Sequence, residues 1–319
     1  MCIFAQPVVS VSDTNIFARL QADGRQYLVY QMKFETQKNN AIVLPLPVQL
    51  PTDDKETLEF ISLKHHERFF ADLSRGFPLA LPDSRRPTQS IASNSVPRPT
   101  LKVHNVGDFI ASFVPSIPDF NRLDEQFRVP QESWDRIPRY SDFGFAVFQL
   151  RSRKGKPHPM AFRFRSRLNR PNDASVFFPT VHIHDGQVHD REEFDHTLYL
   201  QAPEFDRACG KYVQSGRSVT DPATGYVRSK WKAEQFCNTD ACRGIVDPNG
   251  LVHRLKMRGR LKNDDVLARL DLSHAQTNAS AAPFGSLAAV TGIASVAGFR
   301  WFCNRRDLVA RDQAAEQPE

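Results

Sequence analysis

The chain has 319 residues and a formal net charge of +6, from 42 Lys and Arg against 36 Asp and Glu with histidines neutral. With 40% hydrophobic and 24% charged residues and a mean hydropathy of −0.45, it has enough apolar material for a real core. These values exclude a collagen, a coiled coil, a disordered tail and a polytopic membrane protein. Phenylalanine is abundant (24, against 6 Tyr and 3 Trp) and proline (22) outnumbers glycine (15), which favours strands and rigid loops over a helical bundle.

In chain order, residues 26–34 and 41–48 are rich in β-branched and aromatic side chains and predict strands, with Lys38-Asn39-Asn40 as the turn between them. Pro45 and Pro47 remove ladder donors on one side, which suits an edge or a strand end. Residues 57–63 predict another strand and 65–73 a short helix. The stretch 78–99, with its Pro-Asp-Ser-Arg-Arg-Pro run and Ser/Asn/Thr-rich continuation, predicts a long exposed loop. Extended signals resume over 101–114, broken at Gly107-Asp108. A proline-punctuated segment, 115–138, holds a short helix at 121–127.

Residues 143–150, 160–167 and 175–184 read as three successive strands. Residues 244–246 and 251–257 can pair as a hairpin across Asp247-Pro248-Asn249-Gly250, and 266–270 reads as a helix. The expected fold is mainly β, a β-rich α+β chain with an antiparallel sheet or sandwich and short helices in long connections. Its expected division is a β-rich domain at 1–201, a smaller strand-and-loop region at 202–275 packed on it, and a small-residue segment with a polar tail at 276–319. No solenoid or propeller repeat is visible.

The five cysteines, Cys2, Cys209, Cys237, Cys242 and Cys303, are too sparse and too odd in number for a disulfide framework. Cys237 and Cys242 read as ordinary thiols in a reducing compartment, the alternatives being a local bridge or half of a metal site. The N-terminus lacks a basic region and meets Pro7 early, so no signal peptide is read. Residues 283–299 are uncharged but diluted by Gly, Ser and Thr, short of the about 20 apolar residues of a spanning helix. A helix packed on the protein, or peripheral membrane contact, fits that run better, and a cytoplasmic location is expected.

The strongest chemical signal is a cluster of histidines. His182, His184, His189 and His196 are four of the chain's ten. On a strand, His182 and His184 would project from one face, their backbones roughly 6.5–7 Å apart. Asp185-Gly186 could turn the chain and return His189 beside them. Three imidazoles with His196 or a carboxylate suit a divalent transition metal, Zn, Fe or Cu. A metal-bound water or an oxidative reaction would follow, with Glu192 or Glu193 as the base. A polar hairpin whose charges only set histidine pKa values is the plain alternative.

Two further features bear on function. Cys2 follows the initiator, so removal of Met1 would leave a thiol beside its own α-amine, the arrangement of an N-terminal nucleophile. That start is similar to class II glutamine amidotransferases, which begin with cysteine but continue with glycine where Ile3 stands here, and it implies an amidase or amidotransferase as a further reading. Arg163, Arg165 and Arg167 alternate along one strand face and could bind anionic groups bidentately, while residues 253–262 form a second basic stretch. A non-catalytic binding or assembly protein using these faces is the second reading. The partner expected for an enzyme is a small-molecule or anionic substrate, and nucleic acid is less favoured because no recognised module accompanies the diffuse charge. Phosphate loops, dinucleotide fingerprints, G-x-S-x-G elbows and the H-E-x-x-H helix are all missing.

Overall fold

The run Arg25–Glu35 shows how the sequence dictates the architecture. Its sequence, RQYLVYQMKFE, is buried almost throughout, on both faces of the strand, so a single sandwich interface cannot account for it. The computed structural model describes residues 3–49, 57–78, 103–168, 175–206, 209–211 and 225–269, and in it this strand is central to a sheet covered on both sides.

That nine-stranded sheet follows the order β14 (Gly210–Lys211), β15 (Val227–Arg228), β16 (His253–Lys256), β13 (Thr197–Gln201), β2 (Ser10–Leu20), β3 (Arg25–Glu35), β10 (Met160–Arg165) and β5 (Leu58–Ser62), with β9 (Lys154–Gly155) also paired to β3. It is antiparallel except where β13 runs parallel to β2 and β14 to β15. A five-stranded antiparallel sheet follows the order β1 (Ile3–Phe4), β4 (Ala41–Leu46), β8 (Gly144–Leu150), β7 (Phe109–Val114) and β6 (Val103–Val106). Two short ribbons complete the strands: β11 (Val176–Phe178) with β18 (Val266–Ala268), and β12 (Arg191–Phe194) with β17 (Gly259–Lys262).

Three apolar layers hold these pieces together. Between the sheets, Leu28, Tyr30 and Met32 of β3 meet Ile42 and Leu44 of β4, Phe148 of β8 and Phe162 of β10. Outside the large sheet, Phe17, Tyr27, Val29 and Tyr199 are covered by Phe69, Phe70 and Leu73 of helix α1 (Phe69–Arg75) and by residues 233–246. Outside the small sheet, Val43, Phe145 and Val147 lie beneath Phe120, Trp134, Tyr140, Val181 and Ile183. Burying each large apolar side chain contributes about 1.5–3 kcal/mol, so the aromatic-rich composition is what supports four stacked layers. The mainly β reading holds. The large sheet takes strands from both sides of residue 201.

Several local expectations are corrected. Residues 266–270, read as a helix, contribute the strand β18, whose buried Val266 and Ala268 alternate with a half-buried Leu267. The proposed hairpin of 244–246 with 251–257 does not form; β16 pairs instead with β13 and β15. The 121–127 helix is a pair of 3₁₀ turns, Ile117–Arg122 and Glu125–Phe127. Pro45 is not on an edge strand, since β4 lies between β1 and β8. The two residues of β1 reach only Ile42 and Val43, however, so Pro45 falls where the ladder on that side has ended. Among the described residues no helix is long and apolar enough to cross a membrane. The loop expected beyond Pro78, the run 283–299 and the 276–319 tail lie outside the described residues.

Candidate functional site at the histidine stack

The third strand expected near the site, 175–184, ends at Phe178, and the chain beyond it is fixed by side chains rather than by a ladder. Asp265 Oδ1 accepts the backbone N–H groups of Thr180 (2.9 Å) and Val181 (3.2 Å), while the Tyr140 hydroxyl donates to Asp265 Oδ2 (2.6 Å). Asn263 accepts from His182 N (2.7 Å) and donates its amide to the carbonyls of His182 and His189, both at 2.9 Å. Ile183 forms an isolated parallel bridge with Ile3, and Phe4 N donates to Ile183 O (3.2 Å). The histidine segment is therefore a strap, tied to residues 263–265 on one side and to the first strand on the other.

Within this strap the rings stack instead of converging. His182 lies between His184 (centroids 5.1 Å apart, planes at 20°) and His196 (4.9 Å, 23°), and Phe194 closes the column 4.2 Å from His182. Parallel imidazoles point their nitrogens outward along ring edges, so they do not aim at one centre. No three ligand atoms of His182, His184, His189 and His196 form a metal-capable group among the described residues. His189 stands outside the stack on the surface, where its Nε2 donates to Asp185 Oδ2 at 2.9 Å. The turn at Asp185-Gly186 forms, with Gly186 at φ +82°, but it carries His189 away from the pair.

Burial sets the charge of the stack. His182 and His196 are fully buried, and desolvation pushes both imidazoles far below the usual histidine range, with the neighbouring histidines adding to the shift. His184, half-buried, is lowered to about 4, chiefly by desolvation and against the pull of Asp185. His189 moves the other way because it bonds to Asp185. At neutral pH the stack is thus an uncharged aromatic plug. Neither nitrogen of His182 has a hydrogen-bond partner among the described residues.

The other expected site residues are dispersed. Glu192 and Glu193 lie on β12 opposite Leu261 and Arg260 of β17. Cys2 lies outside the described residues. Two of the three arginines in the row are paired locally: Arg163 Nε bonds Glu59 Oε2 at 2.7 Å, and Arg167 grips both carboxylate oxygens of Asp142 while lying over Phe143. Arg165 is half-buried, opposite Arg25. These pairings occupy two of the three guanidinium forks that an anionic substrate could use.

One grouping went unrecognised in the sequence. His66, Cys237 and Cys242 are buried together, with a ligand atom from each inside a 4.8 Å cluster. The five-residue spacing of the cysteines was visible; His66, far away in the chain, was not linked to them by any local pattern.

The architecture defines a layered β-sandwich with both outer faces covered. No known family model matches the chain. Similar solved structures include baculovirus P35, at a TM-score of 0.45 and 13% identity over 83% of this chain and 98% of that one. A mutated baculovirus P35 after caspase cleavage gives a TM-score of 0.40 at 13% identity, over 80% and 99% of the two chains. The caspase-8/P35 complex gives 0.41 at 11% identity, over 80% and 95%. The metal-dependent enzyme expected from the histidines is corrected on geometry: the rings stack without a shared centre. The small-molecule or anionic substrate is corrected with it, since Arg163 and Arg167 are already paired with Glu59 and Asp142.

Proposed function

We propose that this chain is a non-catalytic protein whose partner is another protein. The observation that carries the proposal is Trp231. With Val9, it is one of two large apolar side chains left exposed among the described residues, at 39%. Lys230 lies 5.0 Å over its ring and Lys232 follows it. Ser229 holds the turn by donating its hydroxyl to Trp231 O (2.8 Å) and its N–H to Val252 O (2.7 Å), just ahead of β16. An exposed tryptophan flanked by two lysines is the anatomy of an interface anchor with a charged rim, suited to an acidic protein surface. The free thiols Cys209, Cys237 and Cys242 support a reducing compartment, the cytoplasm.

The test is to isolate complexes of the full chain from cells, identify the proteins in them, and titrate a purified partner against wild type and Trp231→Ala. A caspase is the first to try, because the caspase-8/P35 complex supplies a defined protein to use. Truncating the anchor should weaken binding by about tenfold or more, and Lys232→Glu should slow association most strongly at low salt. No protein partner, or one that binds wild type and both variants equally, contradicts the proposal.

A further inference from the structure

The second histidine-containing cluster differs from the stack in that its ligand atoms converge. His66 lies on the turn between β5 and α1, fixed by its N–H to Leu63 O (2.8 Å) and by Phe69 N to its own carbonyl (3.2 Å). Cys237 and Cys242 flank a tight turn in which Cys242 N reaches Thr239 O (3.1 Å) and Cys237 N reaches Ala233 O (2.8 Å). All three side chains belong to the layer outside the large sheet and are only 7%, 5% and 0% exposed. His66 Nε2 is buried without a hydrogen-bond partner among the described residues. That nitrogen faces the two sulfur atoms.

We propose that His66 Nε2, Cys237 Sγ and Cys242 Sγ bind one structural zinc ion that pins α1 and residues 233–246 to the large sheet. The sulfur atoms are 3.6 Å apart. Two thiolates on a tetrahedral zinc, with Zn–S bonds of about 2.3 Å, stand about 3.8 Å apart, whereas a disulfide needs about 2.05 Å. Two thiolates also neutralise a divalent ion, which lowers the cost of burying it. Cys242 Sγ donates to Asn238 O at 3.2 Å, a bond given up when the metal takes its proton's place.

Asp72 stands next to the imidazole, Oδ2 being 3.8 Å from His66 Nε2, and Arg75 binds its Oδ1 at 2.8 Å. The fourth coordination position falls to a water or, after a small rotation, to Asp72 Oδ2, whose charge Arg75 then balances. A three-ligand set of one imidazole and two thiolates is borderline-soft and selects zinc over magnesium or calcium.

The full chain, purified under reducing conditions and dialysed against metal-free buffer, should retain about one zinc per chain. Cobalt added to the apoprotein should give a tetrahedral visible spectrum with a thiolate-to-cobalt charge-transfer band. Cys237→Ser with Cys242→Ser should remove both the zinc and the band, and His66→Asn should shift the spectrum and weaken retention. Circular dichroism identifies any variant that fails to fold; in that event the wild-type cobalt spectrum and zinc content decide alone. No retained zinc with no charge-transfer band overturns the proposal. So does a Cys237–Cys242 disulfide mapped by peptide mass spectrometry in protein handled without reductant in the presence of zinc.

Discussion

Two buried regions of this molecule are built from histidine, and they do opposite things with it. In the strap over β1, His184, His182 and His196 lie ring on ring, spaced about as aromatic side chains in a core prefer. Their contribution is area and shape, and no three of their nitrogens converge on one centre. Beside α1, a single imidazole faces two sulfur atoms, and the edges rather than the faces meet. What separates a plug from a ligand set is the direction of the lone pairs. Neither the number of histidines nor their spacing along the chain decides it.

The largest expected effect that can break this comparison is the response to acid. The three stacked imidazoles have folded-state pKa values below the unfolded value near 6.5. The unfolded chain therefore binds more protons as pH falls, so their share of stability is fully present above about 6.5 and is lost below it. Each should cost about 2 kcal/mol by pH 5, read as a falling urea midpoint. His182→Phe, which keeps an aromatic ring in the column, should flatten that slope by about 1.4 kcal/mol per pH unit. An unchanged slope would mean that the stack is not the titrating element.

Metal removal is the next probe. A strong chelator should lower stability by about 4 kcal/mol if free zinc had stood about a thousandfold above Kd, a fall in Tm of roughly 10 °C for a domain of this size. His182→Phe should respond to the chelator as wild type does; loss of the effect in that variant would put the metal in the wrong region.

Asn263→Ala sharpens the account of the strap. It strips the partners from His182 N and from the His182 and His189 carbonyls, and should cost about 1–3 kcal/mol. The faster hydrogen exchange should be confined to residues 180–190. The smallest effect belongs to Arg163→Gln, whose ion pair with Glu59 is largely exposed and should contribute less than about 1 kcal/mol to thermal stability.

Much of the fold was legible because its signals are local. The run 26–34 and the run 143–150 are rich in β-branched and aromatic side chains, and both became central strands. β2 was missed because its first half, Ser-Val-Ser-Asp, is polar and exposed, and Asp13, at φ +52°, marks a register shift that breaks the alternation. Residues 266–270 carry too short an apolar run for its period to tell strand from helix.

The site was harder to read. The density of histidines at 182–196 was real, but strand geometry was assumed for a segment that side chains of Asn263 and Asp265 hold in another path. His66 and the two cysteines come together only through the packing of α1 and residues 233–246 on the large sheet, a long-range contact with no counterpart in sequence spacing.

The contrast between the two regions is tested most directly by anomalous diffraction at the zinc edge from crystals of the reduced full chain. One peak bounded by His66, Cys237 and Cys242, with none against the ring column, is the expected result. A peak at His182, His184 or His196, or none beside the thiols of protein shown to contain zinc, would contradict the assignment of plug and ligand set.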